Sequence, residues 1–143
     1  MSRKRGGRNK SLAVAGSFVA MLGLAPSGVA DQPNALGTWV GVVPFAERNI
    51  VATVDVRNLT LGAASGEMRW LTPFNCALTT EYAGTSKGDY VLNLSGSNGG
   101  WCDGYRSGAL NLHFDASAPE VLVFRLTNRD GLRPVAGKLA RAP

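Results

Sequence analysis

The sequence predicts an all-β domain: an antiparallel up-and-down meander of about eight strands closed into a small barrel, with a β-sandwich as the alternative. Two observations predict it. Short segments in which apolar and polar residues alternate recur along 37–143 with turn residues between them, and helical periodicity is missing there. The barrel is favoured because closure removes the exposed edges that a row of strands otherwise presents.

The first three predicted strands each have one apolar face. Thr38–Phe45 opens the series. In Asn49–Val56 four apolar residues share one face and polar residues occupy most of the other. Gly66–Leu71 places Met68 and Trp70 opposite its charged residues. Each segment therefore has a side suited to a barrel interior.

The five later strands complete the meander. Cys76–Tyr82, Asp89–Leu94 and Gly108–Phe114 carry apolar residues at alternate positions. Val121–Leu126 is apolar on both faces apart from one arginine, and Val135–Leu139 closes the series with a weaker pattern.

The connections between these strands have the composition of tight turns. Gly84–Gly88, Asp115–Pro119 and Asn128–Gly131 are short and rich in Gly, Asp, Asn and Pro. These residues favour hairpins, so strands that are neighbours in the chain are predicted to pair.

The first thirty residues have the layout of a cleaved export signal. Five basic residues lie in 2–10, an uncharged stretch covers 12–26, and small residues lead to Ala30. The apolar stretch is shorter than the roughly 20 residues that span a bilayer, which disfavours a membrane anchor. We therefore predict a signal peptide at 1–30, a flexible leader at 31–36 and one barrel domain at 37–143, exported to the periplasm or secreted from a bacterium.

Charge excludes nucleic acid as a predicted partner. The chain has 15 Lys and Arg against 10 Asp and Glu, a net charge of +5, and five of the basic residues lie in the predicted signal. The remaining ten balance the ten acids. The exported domain is therefore near neutral, and no basic stripe is present to follow a phosphate backbone.

Cys76 and Cys102 are the only cysteines. In an oxidising compartment such a pair is expected to form a structural disulfide. A redox-active pair would be expected as Cys-x-x-Cys, and a metal centre would need more Cys or His ligands than one histidine can supply. We predict a disulfide across one strand and no metal site.

Catalytic groups are scarce. His113 is the only histidine, and it shares the polar face of its strand with Asn111 and Asp115. A surface histidine explains it better than a general base, since no nucleophile with a partnering base and no Gly-x-Ser-x-Gly turn is present. The sequence predicts no catalytic residue and no cofactor.

Aromatic residues are the candidate binding groups. Trp101 lies in a glycine-rich polar segment, 96–105, which the disulfide would anchor, and Tyr105 follows closely. Phe74 precedes Cys76 and is expected near the same surface. An aromatic side chain on an anchored loop loses little entropy on contact, which suits recognition. The alternative is that Trp101 packs over the barrel end or on the disulfide.

Gly37-Thr38-Trp39 resembles the Gly-x-Trp opening of the calycin barrels, the lipocalin and avidin groups. Lys87-Gly88-Asp89-Tyr90 resembles their second motif, and Arg125 is similar to a late-strand arginine that packs over the tryptophan. The resemblance implies an exported β-barrel whose base is closed by Trp39, which thereby becomes a fourth candidate binding residue. Small secreted bacterial inhibitors of metalloproteases share this layout.

Two functions follow from these expectations. One is an exported binding module that recognises a protein partner or a small apolar ligand through its loop aromatics or the barrel mouth. The other is an inhibitor or immunity-type protein that blocks an extracytoplasmic enzyme. A cavity lined by Trp39, Met68, Tyr82 and Leu92 would favour a small ligand, whereas a filled barrel with an exposed Trp101 would favour a protein partner. No oligomeric state is predicted.

Overall fold

Eight antiparallel strands form a closed barrel in which each strand pairs with its neighbours in the chain. The structure is a computed structural model, and it describes residues 33–131 and 133–143. The strands are β1 (Gly37–Phe45), β2 (Arg48–Val56), β3 (Ala64–Trp70), β4 (Cys76–Ser86), β5 (Asp89–Ser97), β6 (Ala109–Asp115), β7 (Ala118–Thr127) and β8 (Val135–Arg141). A 3-10 helix, Gly100–Tyr105, lies between β5 and β6. The predicted closed barrel is confirmed, and the predicted signal, 1–30, lies outside the described residues.

The alternating pattern places one apolar face of every strand inside the barrel. In β2, for example, Ile50, Ala52, Val54 and Val56 are all at most 2 % exposed. Full burial of a side chain the size of leucine stabilises a fold by about 2 kcal/mol, so this lining supplies most of the driving force for closure. The largest side chains that the interior buries completely are Trp39, Trp70, Phe124, Ile50, Met68, Leu78, Leu92, Leu110, Leu112, Leu122, Leu126 and Leu139.

The β4–β5 hairpin is longer than the sequence predicts. We predicted a turn over Gly84–Gly88, whereas only Lys87 and Gly88 connect the strands, with φ of 53° and 86°. Positive φ at both central residues matches the type I′ turn, whose twist suits paired strands. Ladder pairing therefore continues to Ser86, and a bulge near Gly84 adjusts the register.

The barrel closes where β1 meets β8. The ladder there joins Trp39 to Arg141 and Val40 to Ala140. Gly41 follows, and a Cβ at this position would lie 2.1 Å from the Lys138 carbonyl oxygen. Because glycine has no side chain, the β8 backbone can approach β1 here, and closure of the barrel requires glycine at position 41.

The described part of the predicted flexible leader is held against the barrel. Ala35 is completely buried, and its carbonyl accepts a 2.9 Å hydrogen bond from Trp39 Nε1. Arg141 Nη1 donates to the carbonyl oxygen of Leu36 at 2.7 Å, and Arg141 Nη2 donates to that of Asn34 at 3.2 Å. The carbonyl groups of residues 34–36 thus satisfy buried or charged donors of the barrel end.

An ion pair between β6 and β8 makes the free energy of unfolding vary with pH in the acidic range. Lys138 Nζ donates to Asp115 at 2.8 Å, and Ser117 donates from both its backbone N–H and its hydroxyl. These hydrogen bonds hold the pKa of Asp115 well below its usual 3.8. A lowered folded-state pKa contributes stability above pH 3.8, and that contribution is lost as the pH falls below it.

We therefore expect Asp115→Asn to be less stable than the native protein at pH 7, with the difference shrinking below about pH 4. Urea unfolding midpoints between pH 7 and pH 2 would measure it. Lys138→Met removes the main partner and should reduce the same pH dependence. A difference that stays constant down to pH 2 would contradict the assignment.

Candidate functional site

One end of the barrel carries the β1–β2, β3–β4, β5–β6 and β7–β8 connections, because the meander alternates direction at every strand. Phe45 ends β1, Phe74 lies between β3 and β4, and Trp101 and Tyr105 lie on the 3-10 helix. We call this the aromatic end. It brings together three of the four binding residues that the sequence predicted.

The disulfide anchors the 3-10 helix to the start of β4. As predicted, Cys76 and Cys102 form a disulfide, with 5.9 Å between their Cα atoms. Both residues are buried. Hydrogen bonds add to the anchor. The backbone N–H of Ala77 donates to Asn98 Oδ1 at 2.8 Å, and the Asn98 N–H donates back to the Ala77 carbonyl at 3.2 Å. The segment that carries Trp101 is therefore attached to β4 by the covalent bond and by this pair of hydrogen bonds.

Trp101 is the centre of an aromatic cluster. Its ring stacks parallel on Phe74 with centroids 4.3 Å apart, and it meets Phe45 and Trp70 edge to face at 5.6 and 5.2 Å. Tyr105 lies 4.7 Å away. Each such aromatic pair stabilises a fold by about 0.5–1.5 kcal/mol in addition to the effect of burying the rings. Trp101 thus packs over the barrel end, yet it stays half-buried and keeps part of its surface accessible.

A cleft of about 570 Å³ opens beside this cluster. We call it the Arg133 cleft, and Phe45, Trp101, Tyr105, Asn128 and Arg133 line it. Arg133 is the only charged residue among the described residues of its lining. Asn128 Oδ1 is buried and has no hydrogen-bond partner within the described part of the chain.

Tyr105 joins the two sides of the Arg133 cleft. Its hydroxyl donates a 3.2 Å hydrogen bond to the carbonyl oxygen of Arg133. Burial raises the pKa of Tyr105, and the Arg133 charge offsets part of that rise. The hydroxyl therefore remains a donor throughout the physiological range, and it holds the backbone that carries Arg133.

A second cleft, of about 390 Å³, lies on the other side of Phe45. Phe45 and Phe74 line it together with Ile50 and Pro73, and the β1–β2 connection completes its lining with Ala46, Glu47 and Arg48. Phe45 borders both clefts. The aromatic end thus presents two concave surfaces that share one aromatic ring.

Trp39 lies at the opposite end and does not join this site. It meets Phe114 edge to face at 5.8 Å, and the Arg141 guanidinium lies 4.3 Å from its ring centroid, a cation–π contact. Arg125, which resembles the late-strand arginine of the calycin barrels, is exposed on β7, and the arginine beside Trp39 is Arg141 of β8.

His113 and the acidic residues nearest to it lie outside the linings of the two clefts. His113 Nδ1 lies 3.7 Å from Asp89 Oδ1, while Asp115, its neighbour two residues on, bonds to Lys138 instead. Over 33–131 and 133–143, no group of three or more His, Cys, Asp or Glu side chains could hold a metal ion.

Sequence reasoning did not identify Phe45, Asn128 or Arg133 as members of the site. Phe45 was the last residue of a predicted strand, Asn128 belonged to a predicted turn, and Arg133 fell between elements. No local pattern marks them. Their proximity depends on β1 and β8 meeting, which joins the two ends of the domain.

No family model, curated protein or solved structure matches this chain. The similarity to calycin barrels therefore rests on Gly37-Thr38-Trp39 and the weaker motifs in the sequence. It stays a prediction.

Proposed function

We propose that this chain is an exported, non-enzymatic binding module of the bacterial envelope or exterior, and that it binds at the aromatic end. The observation that carries the proposal is the pair of clefts on either side of Phe45. Binding sites for small ligands are typically concave, rich in aromatic side chains and supplied with a few polar groups, and the Arg133 cleft has all three properties.

The interior offers little room for a ligand. Trp39, Met68 and Leu92, three of the residues expected to line a cavity, are each at most 1 % exposed and belong to one packed core. Tyr82 is partly buried against that core. A filled interior favours binding at the barrel end over binding inside the barrel.

The aromatic end is also preorganised. The disulfide and the Ala77–Asn98 hydrogen bonds order the Trp101 segment before any ligand arrives, so binding loses little conformational entropy. Aromatic residues held in this way are typical anchors of binding surfaces.

One observation, the disulfide, bears on the compartment. The disulfide is compatible with an oxidising space outside the cytoplasm. In the ranges 33–131 and 133–143, no helix is long and apolar enough to cross a bilayer. Together with the signal-like sequence of 1–30, the disulfide supports export.

Trp101→Ala tests the proposal. We expect the immobilised variant to retain its ligand or partner from the exterior fraction of producing cells at least tenfold less than the native protein, because a central aromatic anchor is removed. Quantitative mass spectrometry of the retained material measures the change.

Leu61→Ala is the matched control, since Leu61 is an apolar residue, 72 % exposed, in the β2–β3 connection at the opposite end. It should retain as much as the native protein. Circular dichroism would verify that both variants are folded. Equal retention by native protein and folded Trp101→Ala would refute binding at the aromatic end.

A further inference from the structure

We propose that Asn98 is a site of spontaneous covalent modification, at which the Gly99 nitrogen displaces the side-chain amide of Asn98. The contacts between residues 97–99 and β4 keep this reaction slow in the folded protein. The proposal does not depend on what the aromatic end binds.

Asn98-Gly99 is the only Asn-Gly pair in the chain. Because glycine has no side chain, its backbone nitrogen is open to the carboxamide of the preceding residue. The Gly99 nitrogen can form a bond with Asn98 Cγ, which releases ammonia and leaves a five-membered succinimide ring. Water then opens the ring at either of its carbonyl carbons and yields aspartate or isoaspartate, so water is the only other reactant.

The fold requires both members of this pair. Gly99 has a φ of 110°, in the region that favours glycine. Asn98 Oδ1 accepts a hydrogen bond from the Ala77 N–H at 2.8 Å, and the Asn98 N–H donates to the Ala77 carbonyl at 3.2 Å. A glycine for the backbone turn and a short acceptor side chain for the contact with β4 therefore place a reactive pair in this segment.

The same contacts oppose the reaction. Ring closure brings Asn98 Cγ to the Gly99 nitrogen, and the two hydrogen bonds to Ala77 hold both the backbone and the carboxamide of Asn98 in place. The Gly99 N–H donates to Ser97 Oγ at 3.0 Å, and the nitrogen must lose this proton to attack. The segment must open locally before the ring forms, so the free energy of that opening sets the rate.

The disulfide limits this opening. Cys76 directly precedes Ala77, and its bond to Cys102 keeps the segment near β4 when the hydrogen bonds break. Asn98 itself is exposed and lines a cleft of about 220 Å³ together with Asn75 and Cys76. Water therefore reaches the carboxamide, and local opening is the step that restrains the reaction.

Modification would loosen the aromatic end. In isoaspartate the main chain runs through the former side chain and gains one carbon atom between residues 98 and 99. The pair of hydrogen bonds with Ala77 then loses its present geometry, and the disulfide remains as the attachment of the Trp101 segment to β4.

The test follows the whole protein at mildly alkaline pH by peptide mass spectrometry that separates aspartate from isoaspartate. We expect Asn98 in the folded protein to react at least about tenfold more slowly than in the protein unfolded by urea. Asn98→Gln should show no modification at this position, because its longer side chain would have to form a six-membered ring. Equal rates in the folded and unfolded protein would refute the protection, and a lack of isoaspartate at position 98 in the unfolded protein would refute the site.

Two matched variants test the contacts while the disulfide stays intact. Ser97→Ala removes the acceptor of the Gly99 N–H and should raise the rate about threefold or more, with an unchanged unfolding midpoint. Ser95→Ala is the control, since Ser95 lies on the same strand and its hydroxyl contacts Thr79 instead. It should react like the native protein. Equal rates in the two variants would overturn the role of Ser97 in restraining Gly99.

Discussion

Replacing Cys76 and Cys102 together by alanine is expected to lower the free energy of unfolding by about 3 to 4 kcal/mol. The bond joins residues separated by 26 positions, and on the loop-entropy model its removal returns that much freedom to the unfolded chain. For a small domain this is a large share of total stability. Urea unfolding at pH 7, monitored by circular dichroism, measures the loss.

Dithiothreitol provides the control for this prediction. It should shift the unfolding midpoint of the native protein toward that of the double variant, and it should leave the double variant unchanged. A double variant within about 0.5 kcal/mol of the native protein would show that the bond does not restrict the unfolded chain. Trp101 should also become more mobile, because the 3-10 helix then depends on hydrogen bonds and aromatic packing alone.

Trp70→Ala is the second substitution with a large expected effect: it should lower the free energy of unfolding by about 3 to 5 kcal/mol. Trp70 is 1 % exposed and lies edge to face with Phe124 at 6.0 Å and with Trp101 at 5.2 Å. Its removal leaves a cavity between the core and the aromatic end that the closed barrel cannot fill by collapsing. The variant should therefore lose stability and loosen the Trp101 segment as well.

Trp70→Phe separates packing from polarity. It keeps an aromatic ring and removes an indole N–H that has no hydrogen-bond partner among the described residues. The free energy of unfolding should therefore fall clearly less than it does in Trp70→Ala. Equilibrium unfolding of both variants measures these losses. Leu61→Ala is the exposed control, and its free energy of unfolding should lie within about 0.5 kcal/mol of the native value. Equal losses for Phe and Ala would contradict the cavity argument.

The strand pattern could be predicted because it is local. Alternation in β2, from Ile50 to Val56, reflects which side chains face the interior, and every predicted strand is present. The boundaries were less accurate. β4 extends beyond Tyr82, because the Lys87–Gly88 turn lets polar and glycine residues pair without any apolar signal. β5 extends beyond Leu94 at its other end, where Gly96 and Ser97 pair with Thr79 and Leu78.

The candidate site could be predicted only in part. Trp101, Tyr105 and Phe74 lie close to the disulfide in the chain, so the position of the cysteines was enough to group them. Phe45 and Arg133 come from the first and last strands and the connections beside them. Nothing in their own segments indicates that they line one cleft.

By itself the sequence determined the fold class, the covalent bond and the residues of the core, since these depend on local alternation and on a single pair of cysteines. The tertiary structure decided what the barrel encloses and where its surface is concave. Both depend on how side chains from all eight strands fill one volume and on how closely β8 approaches β1 at Gly41. The position of Phe45 and Arg133 in the lining of one cleft arises only when the two ends of the meander meet, because no local pattern records a contact between distant residues.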